Sequence, residues 1–161
     1  MMTQETLLAR LSGLGIAART VTHTPVYTVE EAKAHRDGQP GGHTKNLFLK
    51  DKKGRMFLVT ADEDRDIDLK SLRDKLGCKP LSFASAERLM TYLGVEPGSV
   101  TPLAVVNDTA GLVTMALDRS LLAPEWINVH PLVNTATTAL APADLGRFLE
   151  SSGHTPQMID F

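Results

Sequence analysis

Apolar residues first recur along this chain at helical spacing: Leu7, Leu8, Leu11 and Leu14 mark one face of a helix starting near Thr3, with Gly13 and Gly15 available to stop it. The period then changes. Ile16 to Thr24 alternates and contains Val21 and three threonines, which predicts a strand ending at Pro25. Thr28 with Glu31 three residues later is a capping-box pattern and predicts a short helix to about Arg36. Asp37-Gly38-Gln39-Pro40-Gly41-Gly42 holds too many glycines for one regular conformation and reads as a loop, either plain surface or a flap beside a site.

Lys45 to Lys50 and Arg55 to Thr60 are apolar-rich runs joined by Asp51-Lys52-Lys53-Gly54, a hairpin with a basic tip. Asp68 caps a helix with the stripe Leu69, Leu72 and Leu76, closed by Gly77. Leu81 to Phe83 is a short strand, and Ser85 caps a further helix closed at Gly94. Leu103 to Val106, Val113 to Leu117, Trp126 to Val129 and Thr135 to Leu140 read as strands, with Asn107-Asp108-Thr109-Ala110-Gly111 as a hairpin turn. Pro142 opens a last helix through Leu145, Phe148 and Leu149, ended by Gly153. The expected fold is α+β, a mixed, largely antiparallel β-sheet wrapped by about five helices, in a single domain over residues 1–161.

Composition narrows the class. Apolar residues make up 42% of the chain and charged residues 22%, an ordinary soluble balance. The lone Cys78 has no disulfide partner and no cysteine companion for zinc, and Met1 to Ala9 lacks the basic-then-apolar pattern of a signal peptide. No apolar run approaches the roughly 20 residues of a spanning helix, so a cytoplasmic protein without a membrane partner is expected. Net charge is −2, against a globally basic nucleic-acid binder, yet residues 45–79 carry 10 Lys/Arg and 7 acids while residues 80–161 carry 3 and 8. That local excess is either a solvated helix face and hairpin or a phosphate-facing patch containing Lys50, Lys52 and Lys53.

Three short segments carry candidate chemistry: Gly41-Gly42-His43-Thr44-Lys45-Asn46, Gly98-Ser99-Val100-Thr101-Pro102 and Asn128-Val129-His130-Pro131. Lys45 follows a glycine turn and opens an apolar strand. Asn46 and Thr44 each offer a donor and an acceptor, although strand alternation sends Lys45 and Asn46 to opposite faces unless the strand is irregular there. Gly98 permits close backbone approach, and Pro97 and Pro102 stiffen their loop. His130 is held extended by Pro131 and is either a site residue or a satisfied core histidine. His23, His35, His43 and His154 lack metalloprotease spacing, and no GxSxG, P-loop or GxGxxG motif occurs, so neither metal nor cofactor is expected.

In this order, the GGHTKNLF segment, the GxxxP loop, the Asn107-Asp108-Thr109 turn and the NVHPLVNTATT stretch resemble the freestanding YbaK/ProX family of aminoacyl-tRNA deacylases, related to the editing domain of bacterial prolyl-tRNA synthetase. The resemblance runs from about Tyr27 to Gly153 and is nearest the subgroup that hydrolyses alanine mischarged on proline tRNA. It implies metal-free, cofactor-free ester hydrolysis in trans, with Lys45 as the functional lysine, His130 in the site beside Asn46, and Thr44, Gly98, Ser99 and Pro102 around the substrate. The implied partners are the acceptor end of mischarged tRNA and prolyl-tRNA synthetase. Two alternatives stay open: a deacylase for cysteine or another small residue on the same tRNA, and a non-catalytic tRNA- or DNA-binding module using the basic region.

Overall fold

The structure is a computed structural model that describes residues 1–25, 27–34 and 39–161. Helix α1 (Gln4–Gly13) starts at Thr3, whose hydroxyl accepts from the Thr6 amide while the Thr6 hydroxyl accepts from the Thr3 amide. Its apolar stripe buries Leu7 and Leu11. Strand β1 (Arg19–Thr22) is shorter than the alternation predicted. Helix α2 (Val29–Ala34) follows; the Glu31 amide donates to Thr28 Oγ1, but the Glu31 carboxylate accepts from the amide of Tyr27 rather than of Thr28. The predicted end of this helix at Arg36 and the Asp37-Gly38 start of the expected loop lie outside the described residues.

The centre of the sheet is the hairpin β2 (Gly42–Asp51) and β3 (Met56–Asp62). Both strands extend beyond the predicted runs, so Gly42 is strand rather than loop. Gly41 permits this: its φ is +107°, and a Cβ there would collide with the Trp126 carbonyl, which instead accepts from the Gly42 amide at 2.8 Å. At the other end the Asp51 carboxylate accepts from the amides of Lys53 and Arg55 across the turn, at 2.9 and 3.0 Å.

Helix α3 (Leu69–Leu76), strand β4 (Leu81–Phe83) and helix α4 (Ala86–Leu93) match the predicted elements, with Asp68 and Ser85 as N-caps and Gly77 and Gly94 as left-handed C-caps. Leu103 to Val106 is not a strand. It belongs to a 3-10 turn, Pro102–Asn107, started by Pro102 and by Thr101 Oγ1 accepting from the Leu103 amide. The Asn107–Gly111 segment is therefore no hairpin turn; the Asp108 carboxylate accepts from the Leu112 and Val113 amides and leads into β5 (Val113–Asp118). Asp108 Oδ2, which takes the Val113 amide, also meets buried His154 Nε2 at 2.8 Å. Strands β6 (Ile127–Val129) and β7 (Ala136–Leu140) and helix α5 (Pro142–Ser151) complete the predicted set, and β8 (Gln157–Ile159) is an additional edge strand.

The sheet runs β1-β7-β6-β2-β3-β5-β8, with β4 also on β2. It is mixed: among the described residues the β1/β7, β6/β7, β2/β3 and β2/β4 ladders are antiparallel, while β2/β6, β3/β5 and β5/β8 are parallel. Five α-helices are present among those residues. Strand alternation splits the core. Phe48, Met56 and Leu58 face α1, α4, α5 and the Pro102 turn, whereas Leu49, Phe57 and Val59 face Leu72 and Leu76 of α3. Burying Phe57 fully between these layers contributes about 1.5–3 kcal/mol, so the central hairpin is a rigid base for whatever its open end carries.

Candidate functional site

Strand β2 changes partners along one edge. That edge pairs with β6 at Gly42 and His43 and with β4 at Leu49 to Asp51, leaving Lys45 to Leu47 without a strand neighbour there among the described residues. A cleft of about 170 Å³ opens against this region, lined by Thr44, Lys45, Asn46, Glu63, His130, the Tyr27–Val29 segment and the Pro97, Gly98 and Val100 rim. Lys45 and Asn46 alternate on a regular strand and yet both reach the cleft. The expected conflict between them is resolved by the gap, because a cleft placed on the strand's edge receives side chains from both faces.

Each polar group is held by a neighbour. Thr44 Oγ1 donates to the Asn128 carbonyl at 2.8 Å, while the Asn128 amide nitrogen donates to the carbonyls of Pro40 and Gly42, tying β6 to the strand entry. Asn46 stands opposite Thr60 in the hairpin register, and the buried Thr60 hydroxyl donates to Asn46 Oδ1 at 2.6 Å. With its oxygen engaged, Asn46 presents its NH2 group as the free donor. Lys45 is half-buried opposite Ala61, and among the described residues its ammonium makes no hydrogen bond or ion pair.

His130 leaves β6 into Pro131 and Leu132, and Leu132 has φ +69°. A left-handed backbone costs a leucine about 1–3 kcal/mol and is held here by burial of that side chain in the core, which fixes the turn carrying the imidazole. His130 Nδ1 lies 3.4 Å from the Ala136 carbonyl. A carbonyl only accepts, so Nδ1 carries the hydrogen and the neutral ring keeps a lone pair on Nε2. Burial pushes the His130 pKa below the ordinary imidazole value, His23 adds to the lowering, and the Ala136 carbonyl opposes it.

On the far rim, a Cβ at Gly98 would stand 2.9 Å from Tyr27 Cδ1 and 3.1 Å from Asn134 Nδ2, so glycine is what lets this loop, the Tyr27 ring and the β6–β7 connection meet. Its neighbours do not share that position. Ser99 and Pro102 are buried and do not line the cleft; Ser99 sits in a 3-10 turn whose amide bonds Glu96, and Pro102 packs inward as the first residue of the next turn. Lys50, Lys52 and Lys53 lie toward the opposite end of the hairpin, with Lys50 five strand residues, roughly 17 Å, from Lys45.

Sequence reasoning passed over Tyr27, Thr28, Val29 and Glu63 as lining residues, whereas Pro97 and Val100 belong to the loop expected to wall the pocket. Glu63 sits in the acidic run Asp62-Glu63-Asp64, which reads as a solvated turn, yet it is only 8% exposed. Its amide donates to the His43 carbonyl, extending the β2/β3 pairing by one residue and carrying Glu63 to the cleft. Among the described residues no group of three or more His, Cys, Asp or Glu side chains converges as a metal site, and no helix is long and apolar enough to cross a membrane.

The profile of the aminoacyl-tRNA editing domain matches residues 23–148 of this chain. Prolyl-tRNA editing protein ProX of Acetoanaerobium sticklandii is 40% identical over 158 residues, covering 98% of this chain and 96% of that protein. Prolyl-tRNA synthetase associated domain-containing protein 1 of Danio rerio is 44% identical over 153 residues, covering 94% and 83%. In structure, a protein described as a proposed trans-editing enzyme for prolyl-tRNA synthetase superposes with a TM-score of 0.72 at 20% identity, covering 99% of this chain and 97% of that one.

Proposed function

The chain belongs to the aminoacyl-tRNA editing domain family, and on that premise we propose that it hydrolyses alanine mischarged on proline tRNA, acting in trans and without a metal. Aminoacyl-tRNA deacylation is the activity this membership supports, and mischarged tRNA is its substrate. The observation that carries the finer reading is the convergence of Lys45, Asn46, Thr44, His130 and Gly98 on one small cleft.

Size argues for a small aminoacyl group. Sites for whole small molecules commonly enclose ~300–1,000 Å³. A cleft of about 170 Å³ suits an aminoacyl head, with the terminal adenosine outside. The rim formed by Gly98 and Tyr27 has little slack, so it excludes a proline ring more effectively than it rejects a residue smaller than alanine.

In the mechanism we infer, water attacks the ester carbonyl and the Lys45 ammonium stabilises the resulting oxyanion. Asn46, with its oxygen tied to Thr60, donates its NH2 to the ribose or carbonyl end, and Thr44 accepts from the ribose. Neutral His130 positions the terminal adenosine or the attacking water through Nε2. The substrate's own ribose hydroxyl assists as a proton carrier. A fixed cation supplies what a Lewis acid would, and aminoacyl esters are labile enough for positioning and oxyanion stabilisation to suffice. The reaction belongs in the cytoplasm, where charged tRNA is held, and prolyl-tRNA synthetase is a further candidate partner.

The test is single-turnover deacylation of alanyl-, cysteinyl- and prolyl-tRNA(Pro) with enzyme in excess, repeated under chelation. Alanyl ester is expected to disappear fastest, at a rate the chelator leaves unchanged. Equal rates on correctly charged prolyl-tRNA would remove the editing assignment, and a fastest cysteinyl ester would move the specificity. Complex formation without ester loss would favour a binding module.

A further inference from the structure

Among the described residues lining the cleft, Glu63 is the sole carboxylate and Lys45 the sole side chain that is always cationic. Resting on the deacylase reading above, we propose that Glu63 receives the α-ammonium group of the aminoacyl ester, so that the site demands a free amino terminus as well as a small side chain.

The placement follows from the hairpin register. Lys45 stands opposite Ala61, and the Glu63 amide bonds the His43 carbonyl, so Glu63 is the diagonal neighbour of Lys45 on the same face of the two strands. Diagonal neighbours in an antiparallel pair are separated by about 7–8 Å, within reach of long side chains. Two such side chains can converge on opposite ends of one small head group. The substrate offers those ends. Its carbonyl oxygen becomes negative when water attacks, and its α-ammonium is positive one carbon away.

A cleft with Lys45 alone would repel that ammonium while attracting the oxyanion. Glu63 balances the repulsion from a position where burial keeps solvent screening low, which strengthens the pairing. The pairing also has a selective consequence. In peptidyl-tRNA the same nitrogen is a neutral amide that carries an acyl chain, so Glu63 gains nothing from it and the growing chain is spared.

The experiment compares alanyl-tRNA(Pro) with lactyl-tRNA(Pro), in which a hydroxyl replaces the ammonium at nearly constant shape. Single-turnover rates are divided by each ester's spontaneous hydrolysis rate, for wild type and Glu63→Gln. Hydrogen bonds to charged groups support a wild-type preference for alanyl ester of about 10-fold or more after this correction. In Glu63→Gln the preference should fall to near unity through slower alanyl hydrolysis alone, while the unchanged lactyl rate reports an intact fold and intact chemistry.

A wild-type protein without corrected preference overturns the proposal before any variant is made. It is equally overturned if Glu63→Gln keeps the preference, or slows both esters alike, which would make Glu63 a structural or general catalytic group. Failure of wild type to hydrolyse either ester removes the deacylase reading itself, and this proposal with it.

Discussion

Replacing Lys45 with alanine separates chemistry from folding at a single position. Among the described residues the ammonium makes no ion pair or hydrogen bond, and the side chain is half-buried at the edge of a cleft rather than in either core cluster. Truncation therefore leaves no orphaned partner, and the expected change in stability is within about 0.5 kcal/mol. For a domain of this size that is a melting shift of roughly 1–2 °C. The kinetic effect should be far larger. Loss of one preorganised donor to an oxyanion costs about 2.7–4 kcal/mol, a fall of about 10²–10³ in the chemical step. Lys45→Arg restores the charge with a wider, planar head and should recover only part of the rate. The assay is single-turnover hydrolysis of alanyl-tRNA(Pro) at saturating enzyme, with circular dichroism and a melt on the same samples. A folded Lys45→Ala protein within about threefold of wild type would take the lysine out of the mechanism.

Three further outcomes follow from the same structure. His130 is held below the ordinary imidazole pKa, so the unfolded chain binds its proton first as pH falls: this stability is present above about pH 6.5 and lost on acidification toward the folded value. The deacylation rate should stay level down through pH 6.5 and fall below it, and in His130→Gln melts between pH 7.5 and 5 should lose part of their pH dependence; a wild-type rate that falls with a midpoint at or above 6.5 would contradict a ring kept neutral by burial. His154→Ala removes the buried partner of Asp108 and should cost about 3–5 kcal/mol in chemical denaturation, whereas a loss under about 1 kcal/mol would mean that water or rearrangement replaces the imidazole. Replacing Lys50, Lys52 and Lys53 together with alanine should flatten the salt dependence of full tRNA binding by about 0.7–0.9 per lost phosphate contact and leave hydrolysis of a minimal aminoacyl fragment unchanged; an unaltered slope would make the hairpin tip a solvated turn.

Much of the architecture was legible because its signals are local. Asp68 and Ser85 cap the helices they were expected to cap, and Gly77 and Gly94 close them in the left-handed conformation. Failure came where burial or distance decides. Leu103 to Val106 is apolar without a period, and such a run fits a buried strand or a buried turn equally; Pro102 and the Thr101 cap choose the turn. Gln157 to Ile159 is only three residues long and becomes strand by parallel pairing with β5, a partner some forty residues earlier in the chain.

The candidate site divides along the same line, and the reason lies in one strand. Lys45, Asn46, Thr44, His130 and Gly98 were readable as motif residues, but their meeting required β2 to trade β6 for β4 and leave an edge open between them. Nothing in the alternation of residues 45–50 announces that exchange, because both partners are distant and each pairs with β2 for only two or three residues. The open edge also explains the residues that were missed. It admits Tyr27 and Glu63 from two separate segments, which read in isolation as a turn and an acidic run. A strand fully paired along that edge would have closed the gap through which Lys45 and Asn46, on opposite faces of the strand, reach one cleft. The site is thus a property of sheet topology first and of its motif residues second.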